Sequence, residues 1–152
     1  TLSFGEIDSL IEIKKIYGVE DLSIIENCIL YIDQPIGEDS LTEEIIDIIN
    51  DTANRTKYPV YVKMHPNSDA DKINIYKQNG FIMLPNHLPA ELYIQNLKNS
   101  IILSPFSTAL FLNNISCRFY WIYPILDFYR NRLKLDNATS HIFLAYNKSE
   151  II

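Results

Sequence analysis

Short apolar runs alternate with amphipathic stretches along most of the chain, and their order outlines the architecture. Ile29 to Ile32 is a continuous apolar run of strand length, followed by turn residues in Gln34-Pro35-Ile36-Gly37. Isoleucines at 45, 46, 48 and 49 then recur at helical spacing behind Ser40 or Thr42, either of which can cap the helix. Tyr58 to Lys63 predicts a second strand. A polar helix carrying Ile73, Ile75 and Tyr76 follows, stopped by Asn79-Gly80, and Phe81 to Leu84 predicts a third strand. Pro89-Ala90-Glu91 has the form of a helix start, with Leu92, Ile94 and Leu97 inward and Asn99 closing it. Ser100 to Leu103 reads as a fourth strand, Ser107 to Asn114 as a helix and Phe119 to Tyr123 as a fifth strand. Strands alternating with helices in this way predict an α/β fold, a Rossmann-like parallel sheet flanked by helices.

The two ends carry weaker signals. Leu126 to Leu135 suits a helix and His141 to Ala145 a strand, without sharp boundaries. Leu10, Ile11, Ile13 and Ile16 suit a helix, so residues 1–24 are taken as a linker or packing helix and 25–152 as the Rossmann-like domain. A length of 152 residues fits one domain of ordinary size. Glu6, Asp8, Glu12, Lys14 and Lys15 break up the first stretch, which therefore does not read as a signal peptide, and the chain begins without an initiator Met, as a domain cut from a longer protein would.

Charge narrows the choice of ligands. The formal net charge of -6 argues against a nucleic-acid surface, which needs clustered Lys and Arg, but leaves room for one small anion held by local donors. Cys28 and Cys117 sit in apolar surroundings at no disulfide or CxxC spacing and read as free thiols in a reducing, cytoplasmic setting. Apolar runs are too short to span a bilayer, which still allows peripheral association with the inner membrane face.

Three loops at the carboxyl ends of predicted strands hold the candidate chemistry. Lys63-Met64-His65-Pro66 places a cation and an imidazole where the second strand ends. Ligands of open α/β sheets bind at that edge, and such a pair suits a phosphate ester whose leaving oxygen must be neutralised. A surface Lys and an ordinary His before a turn Pro explain the stretch as well. Ser107 and Thr108 open the helix after the fourth strand, as phosphate donors or as ordinary caps. Glu91 suits a ribose diol, or simply its own helix dipole. GxGxxG and GxxxxGK[ST] are absent, and four glycines cannot build a glycine-rich phosphate cradle. His65, His87 and His141 are too dispersed to suggest a metal.

Tyr31-Ile32-Asp33-Gln34-Pro35, Lys63-Met64-His65-Pro66, Pro89-Ala90-Glu91 and Ser107-Thr108 occur in that order over about residues 25 to 125. In this the chain resembles the bacterial sialyltransferases, most closely glycosyltransferase family 52, the lipooligosaccharide sialyltransferase group. The resemblance implies a GT-B enzyme of which this chain is the C-terminal, donor-binding half, with no metal or cofactor. It implies that His65 contacts the phosphate of CMP-sialic acid and acts as general acid to departing CMP. Lys63 and the backbone at Pro66 would lie near the cytosine, Glu91 would hold the ribose, and Ser107 with Thr108 would bind phosphate. Partners implied are the N-terminal GT-B domain and a glycan acceptor on lipooligosaccharide or capsule.

One departure matters. Related enzymes take their base from an Asp/Glu-Asp/Glu-Gly motif in the N-terminal domain, whereas Gly37-Glu38-Asp39 has the reverse order in the other domain and reads as a helix-start turn. A fragment of this kind would bind nucleotide but lack the base. A capsule or teichoic-acid sugar or polyol-phosphate transferase, and a non-catalytic nucleotide-binding module, stay open as alternatives.

Overall fold

The computed structural model describes residues 15–16, 23–35, 39–135 and 140–152. Six parallel strands form the main sheet: β2 (Ile29–Ile32), β3 (Val60–Lys63), β4 (Ile82–Met83), β6 (Ile101–Ser104), β7 (Arg118–Trp121) and β8 (Ile142–Leu144). They lie in the order β4-β3-β2-β6-β7-β8. The chain therefore builds outward from β2 to β4, returns to the other side of β2 and builds outward again to β8. This is the doubly wound order of mononucleotide-binding sheets, and its direction reverses between β2 and β6. A separate pair, β1 (Ile25–Glu26) with β5 (Leu97–Lys98), is also parallel.

Both faces of the sheet are covered at its centre, which explains why β2 is a continuous buried apolar run rather than an alternating one. Side chains of β2 divide by parity: Ile29 and Tyr31 enter one core with Leu103 and Tyr120, while Leu30 and Ile32 enter the other with Ile102 and Trp121. Helix α1 (Asp39–Thr56) covers the first face with Leu41, Ile45, Ile48, Ile49 and the buried Thr52, a run at i, i+4, i+7, i+8 and i+11. Helix α3 (Ala90–Gln95) covers the second with Leu92 and Ile94.

Helix α2 (Ala70–Gln78) shows how local sequence fixes a boundary. Asp69 caps it, accepting the Asp71 N–H at 3.1 Å, and Asn79-Gly80 ends it. Gly80 has φ +79° and donates to Lys77 O, while Phe81 donates to Tyr76 O and its ring stacks on Tyr76 at 6.1 Å. These are the paired bonds and the apolar contact of a Schellman stop, with glycine at the left-handed position.

Several expected boundaries shift. The segment predicted as a helix over Ser107 to Asn114 is a four-residue 3₁₀ turn, Thr108–Phe111. Leu112 is extended, and the Asn114 amide bonds Ile94 O and Leu97 O instead, pinning the loop to α3 and β5. Leu97 lies in β5 rather than in the preceding helix, and the helix predicted from Leu126 is only α4 (Asp127–Arg130). Ser40 lies inside α1 rather than capping it. The expectation for residues 1–24 falls mostly outside the described residues; Ile16 is exposed.

Cys28 is buried and Cys117 half-buried, and both thiols are free. Ile101 N bonds Cys28 O and Arg118 N bonds Ser100 O, so the backbone of β6 runs between the two cysteines. Strands one apart in a sheet are about 10 Å distant, beyond the reach of a disulfide. Burial raises both thiols above their ordinary value of 9.0.

Candidate functional site

A cleft of about 370 Å³ opens at the carboxyl edge of the sheet, where β2 and β6 diverge. Asp33 and Gln34 from the end of β2 line it, as do Lys63 to Pro66 from β3, the loop 86–91 before and into α3, and Ser107 to Ala109 after β6. All six residues singled out in the sequence, Lys63, His65, Pro66, Glu91, Ser107 and Thr108, face this one cleft. Asp33, Asn86 and His87 line it too and were given no role from the sequence.

The crevice is fixed at its root by Ser104. Its hydroxyl donates to Ile32 O at 2.8 Å and accepts from Ser107 N at 3.1 Å, tying the end of β2 to the loop after β6. Ser107 in turn accepts the Ala109 N–H through its own hydroxyl oxygen, leaving the hydroxyl proton for an outside acceptor. Thr108 is exposed. Because a 3₁₀ turn of this length has little macrodipole, these hydroxyls and the loop amides, not a helix end, are what the site offers an anion.

His65 is half-buried, and its Nδ1 accepts the backbone N–H of Asn67 at 3.1 Å. A ring nitrogen that accepts carries no proton, so the neutral imidazole bears its hydrogen on Nε2. His65 thus presents a donor. The turn that makes this bond is closed by Ser68 N donating to His65 O at 3.0 Å.

Lys63 is 4% exposed and its ammonium is fully engaged. It donates to Met64 O at 2.9 Å, to Asn86 O at 3.3 Å and to Asn86 Oδ1 at 2.8 Å. Burial lowers its pKa, and the negative charge of Glu91 pulls it back up. With three acceptors for three protons, Lys63 contributes positive charge and holds the Asn86 loop rather than reaching out to a ligand. The amide Nδ2 of Asn86 has no partner among the described residues.

Behind the cleft lies a polar cluster that the sequence did not signal. Asp33, with a side chain 0% exposed, pairs with Lys72 from the first turns of α2 at 2.7 Å. It also accepts from Ser68 Oγ at 2.6 Å and Tyr76 Oη at 3.1 Å, while Lys72 donates to Gln34 O at 3.0 Å. Burial and the neighbouring Asp33 charge push the Tyr76 phenol well above its ordinary value. Asp33 stood in the motif Tyr31-Ile32-Asp33-Gln34-Pro35, but Lys72 in a polar helix resembles any solvated lysine until the fold turns it inward. Among the described residues, no three His, Cys, Asp or Glu side chains cluster as a metal site requires.

The fold is a doubly wound parallel sheet with a polar cleft at its switch point, lined by an imidazole donor, a buried cation and two hydroxyl side chains, the edge at which open α/β sheets place their ligands. Residues 4–116 match the family described as Alpha-2,8-polysialyltransferase (POLYST). The chain belongs to that family and is a glycosyltransferase of the sialyltransferase class. The matched span contains every cleft residue named above and ends before β7. A search of curated proteins found no match. The sialyltransferase class agrees with the sequence resemblance; the matched family's description names polysialyl transfer.

Proposed function

We propose that this chain is the donor-binding half of a GT-B sialyltransferase, with CMP-sialic acid in the cleft at the β2–β6 switch point. The observation that carries the reading is the convergence of Lys63, His65, Glu91, Ser107 and Thr108 from separate loops onto one cleft. In transfer, the bond from the anomeric carbon to the phosphate oxygen breaks, and its electron pair goes to that oxygen as CMP departs. Nε2–H of His65 and the hydroxyls of Ser107 and Thr108 stabilise the charge that builds there. A hydrogen bond that strengthens as the bond breaks lowers the barrier without the metal that other transferases use.

Glu91 accepts from the ribose diol. Asn86, with both oxygens held by Lys63, turns its amide donors to the base, where cytosine offers acceptors at O2 and N3 but uracil offers N3–H. The sugar is passed to a glycan of the cell surface, on lipooligosaccharide or capsule; the name of the matched family favours a sialic-acid polymer. The acceptor hydroxyl loses its proton to a base on the N-terminal domain, since Asp33 is closed off by its partners and Glu91 is engaged by ribose. The enzyme works at the inner face of the membrane, where it meets its acceptor; among the described residues no helix is long and apolar enough to cross a bilayer.

Transfer from CMP-sialic acid to an oligosaccharide acceptor, measured for the full-length enzyme with its N-terminal domain and for its His65→Ala variant, tests this. Turnover is expected to fall about 100- to 10,000-fold, with a smaller change in donor KM. An unaltered turnover number would remove His65 from the chemistry.

A further inference from the structure

We infer that the buried Asp33–Lys72 pair is a positioning device for His65, acting through Ser68 to hold the imidazole in the tautomer that donates from Nε2. The inference rests on the donor-site reading above and adds residues to it.

The first observation is burial. Asp33 and Lys72 have side chains only 0% and 8% exposed, and two charges removed from water at the end of a strand recover their desolvation cost poorly. Apolar residues of similar size would hold β2 to α2 at least as well. Such a pair is better explained by what it fixes than by the stability it adds.

The second observation is what the carboxylate grips. One oxygen of Asp33 accepts Ser68 Oγ at 2.6 Å, and the other takes Lys72 Nζ at 2.7 Å and Tyr76 Oη at 3.1 Å. These three partners lie between residues 68 and 76, just beyond His65, and a fourth, longer bond comes from Tyr31 Oη of β2 at 3.4 Å. Lys72 also reaches Gln34 O at 3.0 Å, so both ends of the pair clamp the β2 terminus to the segment after β3. With its oxygens occupied and no exposed face, Asp33 is a positioning residue and not a proton acceptor.

The third observation connects the clamp to the ring. Ser68 closes the turn on His65 O at 3.0 Å, and Asn67, between them, aims its N–H at His65 Nδ1 at 3.1 Å. Anchoring Ser68 therefore anchors the one amide that selects the tautomer. If the turn loosens, either ring nitrogen can carry the proton, and in the wrong tautomer an acceptor lone pair faces the phosphate.

Ser68→Ala in the intact protein is the decisive variant, because it removes one hydroxyl and leaves the ion pair in place. Side-chain 15N shifts of His65 are read by NMR at about pH 8.5, where an ordinary imidazole is neutral, and assigned with His87→Gln and His141→Gln. Wild type is expected to show a protonated Nε2 and an unprotonated Nδ1. In Ser68→Ala the two shifts should converge towards a tautomer average, and sialyl transfer should fall about 10- to 100-fold, as expected for a misplaced catalytic group, with donor KM changed less. Ser68→Thr should restore both readouts. Unchanged His65 shifts in Ser68→Ala, or an unlocked tautomer with undiminished transfer, would overturn the inference. Absence of transfer from CMP-sialic acid by the full-length enzyme, carrying its N-terminal domain, would instead overturn the donor reading, while the shifts still decide whether the clamp sets the tautomer.

Discussion

Lys63 donates to both oxygens of Asn86, at 3.3 and 2.8 Å, so one buried ammonium fixes a backbone carbonyl and a side-chain amide on the opposite wall of the cleft. Replacing Lys63 by Met keeps the apolar stem but releases Asn86. The freed carbonyls can turn to water and a buried charge disappears, so the stability loss should be small, about 1 kcal/mol. Nucleotide binding should suffer more, because the wall must be ordered again with each ligand. Scanning fluorimetry with calorimetric titration checks this; a large fall in melting temperature with intact CMP affinity would contradict it.

The Asp33–Lys72 pair makes the opposite stability prediction. Asp33→Ala leaves the Lys72 ammonium buried without its counter-charge and frees Ser68 and Tyr76 of their acceptor. Urea denaturation should show a loss of about 3 to 5 kcal/mol. Adding Lys72→Met to the variant should recover part of it, since the uncompensated charge is then gone. A double variant less stable than Asp33→Ala would speak against this account.

How much of this was legible in the sequence depends on what each residue needed from the fold. The strand Ile29–Ile32 matched its apolar run because a strand covered on both faces requires one. The stop at Asn79-Gly80 matched because glycine at positive φ is a local requirement. Ser107 to Asn114 misled, since its apolar spacing fits a helix and only tertiary bonds from Asn114 to α3 and β5 divert it. In the cleft, His65 and Glu91 stood out as polar residues at strand and helix ends. Lys72 did not, because nothing local distinguishes a lysine that meets an aspartate 39 positions earlier from one that meets water. Lys63 stood out for its charge, yet two of the three acceptors that occupy it belong to Asn86, in a loop brought near only by the sheet.

Alkaline pH should weaken the fold. Burial raises Cys28 and Cys117 above 9.0 and Tyr31, Tyr76 and Tyr93 above 10.0, so each is protonated in the folded chain where the unfolded chain has begun to lose its proton. Stability from these groups is complete below about pH 9 and is lost as pH rises towards their raised values. Lys63 runs the other way: its lowered pKa means that stability rises between that value and 10.5. Five groups outweigh one. Urea midpoints at about pH 8, 9.5 and 10.5 should fall steadily, and a midpoint that climbs across this range would show that Lys63 dominates.

The central claim is that the cleft at the switch point holds a cytidine monophosphate. Titration of the 15N-labelled protein with CMP, and separately with UMP, tests it most directly. Amide shifts should centre on Lys63, His65, Glu91, Ser107 and Thr108, CMP should bind more tightly than UMP, and Glu91→Ala should weaken CMP by about 1 to 3 kcal/mol, the worth of a charged hydrogen bond. Shifts centred instead on the hollow lined by Tyr123, Arg130 and Lys134, or an equal response to both nucleotides, would contradict it.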